Sequence, residues 1–144
     1  MVKILFVCHG NICRSPMAEF VFRDMVRNAG REGEFEIASA AVSSEELGNP
    51  VYPPARRELA SHGISCEGKR ARRMVEADCR YYDYIYYMDR ANARRLHAQF
   101  PQETKFQPFL PGRDVADPWY TGDFSQTWAD VQEGCSRILK ELMV

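Results

Sequence analysis

An apolar run, Ile4-Leu5-Phe6-Val7, leads into Cys8-His9-Gly10-Asn11-Ile12-Cys13-Arg14 and then directly into Ser15-Pro16. This junction constrains the chain more than any other stretch. The run reads as a buried strand over residues 3–7. Ser15 suits a helix N-cap and Pro16 a first helical turn, which places a helix over 16–29, closed by Gly30. A tight loop between a strand and a helix N-terminus is an anion site. Backbone N–H groups without helical partners converge there, and the helix dipole adds roughly half a positive charge. Gly10 and Asn11 are residue types that turn the backbone through positive φ and aim those donors inward.

Two side chains give this anion site a chemistry. Cys8 stands at the strand end, next to a helix terminus and to Arg14, both of which favour the nucleophilic thiolate. Arg14 carries a planar fork that matches two oxygens of a tetrahedral oxyanion. The same residues taken singly would read as a small buried hydrophobe and an ordinary surface charge. Their position at the two ends of one glycine-containing turn favours the chemical reading.

Beyond the turn, strands are expected over 35–42, 82–88 and 105–109. Helices are expected from Pro53-Pro54 to His62-Gly63, over 90–98 with Asp89 as N-cap, and over 124–143. Residues 43–50 and 110–123 read as loops. The basic run Lys69-Arg70-Ala71-Arg72-Arg73 reads as a solvated face leading into a short helix that reaches Cys79. Strands alternating with helices imply a parallel sheet covered on both faces, with ligands beyond the carboxyl ends of its strands. Cys8 lies at one such end, and the loop holding Asp117 follows another strand.

The chain has 144 residues, the size of one domain with a real core. Nineteen Lys and Arg balance 20 Asp and Glu, which gives no argument for nucleic acid or a membrane as partner. There is no basic-then-apolar leader and no apolar run near the ~18 residues of a membrane span, so a cytoplasmic protein is expected. Five cysteines, an odd number without a framework-like spacing, suit a reducing compartment. Neither a Cys-x2-Cys pair nor a His-x3-His cluster is present, so neither a metal nor another cofactor is expected.

Val-Cys-His-Gly-Asn-Ile-Cys-Arg-Ser-Pro-Met-Ala-Glu near the N-terminus, with Asp117-Pro118-Trp119-Tyr120 near the other end, resembles the low-molecular-weight protein tyrosine phosphatases. The similarity extends through Ser39-Ala40, Gly48-Asn49-Pro50, His62-Gly63-Ile64, Ala71-Arg72, Asp83-Tyr84-Ile85 and Met88-Asp89. It implies one domain over 1–144, with a four-stranded sheet and the phosphate-binding loop after strand 1. It also implies a monomer acting on phosphotyrosine-containing protein substrates.

By that resemblance Cys8 is the nucleophile and Arg14 the phosphate clamp. Residues His9, Gly10, Asn11, Ile12, Cys13, Arg14 and Ser15 bind the phosphate, and Ser15 also assists departure of the sulfur. Asp117 becomes the general acid and then the base; Asp114 and Asp123 compete for that role on composition alone. Asn11 and Ser39 match positions that brace the loop. The histidine that completes this brace in many members is missing, and Lys69 lies nearest its place. Ile12, Trp119 and Tyr120 shape the substrate pocket, while residues 43–46 offer no aromatic for its other wall. Members of the family pair the counterparts of Cys8 and Cys13 in a disulfide, which gives Cys13 a protective redox role.

Three other readings share these residues. An arsenate reductase uses the same loop but needs a relay of further thiols, and no cysteine lies between Cys79 and Cys135. A protein-arginine phosphatase resembles this chain except that Thr replaces Ile12. A phosphoprotein-binding module that has lost turnover would have little reason to keep Cys8, Arg14 and Asp117 together.

Overall fold

A computed structural model describes residues 1–143. Four strands, β1 (Val2–Cys8), β2 (Phe35–Ala41), β3 (Tyr84–Tyr87) and β4 (Phe106–Pro108), form one parallel sheet in the order β2-β1-β3-β4. Six helices, α1 (Arg14–Asn28), α2 (Pro53–Ser61), α3 (Glu76–Tyr81), α4 (Arg90–Gln99), α5 (Pro118–Thr121) and α6 (Phe124–Leu142), connect and cover it. The expected single-domain α/β architecture is the one observed.

The central strand shows why both faces are covered. Ile4, Leu5, Phe6 and Val7 have no exposed surface, so β1 has no polar face to offer water. Its alternate side chains enter different cores. Ile4 and Phe6 join Met17, Phe22, Leu59, Val131 and Ile138, from α1, α2 and α6. Leu5 and Val7 join Met74, Cys79, Ile85, Leu96 and Phe106 on the side of α3 and α4. Phe6 touches Phe22 and Phe109 edge-on, at centroid separations of 5.9 and 5.7 Å. Gly134 lets α6 approach this cluster, because a Cβ there would lie 2.2 Å from the Phe109 ring.

The termini of several elements differ from expectation. Helix α1 begins at Arg14 behind Cys13, and Ser15 is inside it rather than capping it. The Ser15 hydroxyl instead meets Cys8 Sγ at 3.0 Å, a tertiary partner that local helix signals do not reveal. Strand β3 is shorter than 82–88: Tyr82 closes α3, and Asp83 N–H donates to Lys3 O. The stretch 110–123 is not wholly loop, since Asp117 caps the short helix α5. The basic run is not simply a solvated face: Lys69 turns inward and Arg72 clamps Asp78 through two hydrogen bonds.

Candidate active site

The loop between β1 and α1 closes over the carboxyl edge of the sheet, where β1 and β2 end in register at Cys8 and Ala41. Asn11 is the one non-glycine residue at positive φ among the described residues (59°), whereas Gly10 does not take positive φ. Gly10 serves by its size instead. A Cβ on it would stand 3.2 Å from Glu46 Cγ.

Beneath this loop Cys8 is 3% exposed, and its sulfur receives the Ser15 backbone N–H at 3.4 Å. Arg14 is 2% exposed, and its guanidinium has three partners. Its Nη1 donates to Asp89 Oδ2 at 2.7 Å and to Val115 O at 2.9 Å, and its Nη2 donates to Asp117 Oδ2 at 3.3 Å. Burial alone would lower the guanidinium pKa, but Cys8, Asp117 and Asp89 outweigh it and hold the charge in place. Asp89 has two tasks: Oδ2 holds Arg14, while Oδ1 accepts the Asn92 N–H at 2.7 Å and caps α4.

Of the three candidate acids only Asp117 lines the cavity over the loop. Its Oδ1 accepts the Trp119 N–H at 3.1 Å, which leaves Oδ2 directed to Arg14. Asp114 accepts from the Arg90 N–H and lies beside that guanidinium. Asp123 caps α6, and hydrogen bonds from Gln126 N–H and the Ser125 hydroxyl hold its carboxyl below the usual range.

The cavity is about 140 Å³, and Cys8, Cys13 and Arg14 are in its lining. Trp119 and Tyr120 form one wall and Glu45 and Glu46 stand in the lining with Ile12. Trp119 is half exposed and packs on Tyr52 at a 4.8 Å centroid separation, whereas Tyr120 is 84% exposed. Residues 43–46 thus contribute carboxylates and no aromatic to the lining. Ile12 and Cys13 pack with Ala71, Tyr52 and Phe124. Burial, followed by the nearby Cys8 and Asp117 charges, pushes the Cys13 thiol far above the ordinary cysteine range.

Behind the loop runs a buried polar chain. Asn11 Nδ2 donates to Ser15 Oγ at 2.8 Å and to Ser39 Oγ at 2.9 Å, while Asn11 Oδ1 accepts the Arg72 N–H. Ser39 Oγ donates to Glu19 Oε1 at 2.6 Å. Glu19, 3% exposed, is paired with Arg23 at 2.8 Å and with Lys69 at 3.4 Å. Lys69 also donates to Ser39 O at 2.9 Å. Burial lowers the Lys69 pKa, with Glu19 opposing.

The profile of a family described as low molecular weight phosphotyrosine protein phosphatase matches residues 3–143. A human protein of that name is 40% identical, over 98% of this chain and 93% of its own length. The crystal structure of YfkJ from Bacillus subtilis superposes with a TM-score of 0.95 at 35% identity, covering 99% of this chain and 95% of that one. The structure of a Drosophila arginine phosphatase superposes with a TM-score of 0.89 at 26% identity, covering 99% of each chain. The chain belongs to the low-molecular-weight phosphotyrosine protein phosphatase family.

As a phosphatase of this family it carries the sequence-expected residues Cys8, Arg14, Asp117, Ile12, Trp119 and Tyr120 around one cavity, with Asn11 and Ser39 behind it. Sequence reasoning assigned no site role to Glu19, Arg23 or Asp89. Glu19 did carry a signal, since it follows Ser15 by one helical turn on the same face. Asp89 was legible as a cap but not as the partner of Arg14, 75 residues away.

Proposed function

We propose that this chain hydrolyses phosphotyrosine in protein substrates, and other aryl phosphates, through a cysteinyl-phosphate intermediate. The observation that carries this reading is that Cys8, Arg14 and Asp117 line one cavity at a helix N-terminus. Cys8 sulfur attacks phosphorus while the loop N–H groups of residues 9–14 and the Arg14 guanidinium hold the equatorial oxygens. An S–P bond forms as the P–O bond to the aryl group breaks, and Asp117 gives its proton to the departing phenolate. Asp117 then takes a proton from water, whose oxygen attacks phosphorus; the S–P bond breaks and inorganic phosphate leaves. Ser15 donates to the departing sulfur. Positioning and charge stabilisation supply most of the acceleration.

Residues 1–144 act as one catalytic domain, a monomer working in the cytoplasm without a metal or cofactor. Cys13 is the resolving thiol. Peroxide oxidises Cys8 to a sulfenic acid, the Cys13 sulfur attacks it, water leaves, and the disulfide shields Cys8 from further oxidation. The arsenate reductase reading lacks support, because Cys66, Cys79 and Cys135 are buried elsewhere and none lines the cavity.

The deciding experiment is steady-state hydrolysis of an aryl phosphate in the presence of a chelator. Wild type is expected to turn over, and Cys8→Ser to bind phosphate-like anions without turnover. Retained activity in Cys8→Ser overturns the mechanism. The fold is shared with an arginine phosphatase, so the leaving group is tested separately. Phosphotyrosine is expected to be preferred to phosphoarginine and phosphoserine, with Ile12→Thr raising phosphoarginine hydrolysis relative to phosphotyrosine. A wild type that already prefers phosphoarginine removes Ile12 as the selector.

A further inference from the structure

An anion site with an acidic lip poses a problem of charge. The cavity is lined by three carboxylates, Glu45, Glu46 and Asp117, against one guanidinium, Arg14, which Asp89 and Asp117 already engage. Glu45 and Glu46 are also fixed in place. Glu45 Oε2 meets His9 Nε2 at 2.5 Å, and Glu46 Oε2 accepts from Asn49 Nδ2 at 2.6 Å. The Glu46 stem lies against Gly10, with space for no Cβ in between without a shift. Arg70, which donates to Gly48 O, and Arg73, which donates to Ser44 Oγ and Gln99 Oε1, do not line the cavity, whereas the His9 ring that meets Glu45 does. A phosphorylated side chain brings about two more negative charges at neutral pH. Trp119 and Tyr120, exposed in the same lining, offer aromatic surface on which a guanidinium or ammonium stacks.

We infer that Glu45 and Glu46 are specificity residues that select phosphotyrosine flanked by Lys or Arg and reject phosphotyrosine flanked by Asp or Glu. The inference rests on the phosphatase reading above. A basic neighbour offsets the repulsion between phosphate and lip, and its side chain has both a carboxylate and an aromatic face to occupy. An acidic neighbour adds to that repulsion. Exposed ion pairs of this kind are worth about two- to fivefold each, so two matched charges correspond to roughly a tenfold preference in kcat/KM.

The test compares two phosphotyrosine peptides identical except for Lys or Glu on either side of the phosphotyrosine. Wild type is expected to favour the lysine peptide, with the ratio falling as ionic strength rises. In the double variant Glu45→Gln, Glu46→Gln, which keeps acceptors for His9 and Asn49, the ratio is expected to fall towards one. The salt series on wild type keeps the proposal testable should the variant fold poorly. Equal rates for the two peptides, a preference for the glutamate peptide, or a lysine preference that survives both salt and the double variant overturns the inference. Hydrolysis of neither peptide overturns the phosphatase reading itself, a different result.

Discussion

Arg14 Nη1 lies 2.7 Å from Asp89 Oδ2, so the guanidinium is aimed before any ligand arrives. Because Asp89 caps α4, just beyond the end of β3 at Tyr87, the aim is set from outside the phosphate loop. Asp89→Asn keeps an acceptor for the cap and weakens the charge-assisted bond, worth about 1.5–3 kcal/mol. A fall of roughly 10- to 100-fold in kcat/KM is expected, with thermal stability changed less than in Asp89→Ala, which also loses the cap. Unchanged kcat/KM in Asp89→Asn would show that Val115 O and Asp117 suffice to orient Arg14.

Asp117→Ala separates the acid from the nucleophile. Its loss is expected to be greatest, up to about 10²–10⁴-fold, for phenols of high pKa, which need the proton to depart. Good leaving groups should be affected least. A uniform loss across a series of substituted phenyl phosphates contradicts the assignment of Asp117 and leaves it as the cap of α5.

Lys69 should report on the brace behind the loop. Lys69→Met leaves buried Glu19 with Arg23 as its remaining charge partner and removes the donor to Ser39 O. A destabilisation of about 1–3 kcal/mol is expected, measured by urea unfolding, with kcat reduced for good and poor leaving groups alike. Lys69→Arg should recover much of the stability. A variant as stable as wild type would make Arg23 the sufficient partner of Glu19.

Wild type and Cys13→Ser, treated with peroxide and then with dithiothreitol, should differ in recovery. Cys13 lines the same cavity as Cys8 and both are free thiols. Wild type is expected to regain activity and Cys13→Ser to remain inactive. Equal recovery leaves Cys13 with its packing against Ala71 and Ile12 alone.

Gly134→Ala places a methyl group where the Phe109 ring stands, at 2.2 Å. Relief requires the ring or α6 to move, and overpacking of this kind costs about 1–3 kcal/mol. The melting temperature measures it; an unshifted transition would mean that the core yields without strain.

What was legible in the sequence was local. The strand, the turn and the helix around Cys8 are written in consecutive residues, and so is the short run that starts with Asp117. The partners that aim these groups come from far along the chain: Asp89 and Val115 for Arg14, Ser39 and Arg72 for Asn11. No periodicity encodes them. Ser15 misled for the same reason, because a serine before a proline looks the same whether its hydroxyl caps a helix or turns to a sulfur. Helix α5 was hidden by its length, since four residues carry no helical period and the cap comes from Asp117 itself.

The chain of hydrogen bonds behind the loop has a direction. Glu19, between Arg23 and Lys69, is an acceptor, so the Ser39 hydroxyl must spend its proton there and accept from Asn11. The Arg72 N–H fixes which end of the Asn11 amide is oxygen, so both amide protons point to the two serines. Ser15 Oγ, already an acceptor, has one proton left, and the atom waiting 3.0 Å away is Cys8 sulfur. A carboxylate one turn further along α1 thereby orients the hydroxyl that faces the reaction centre.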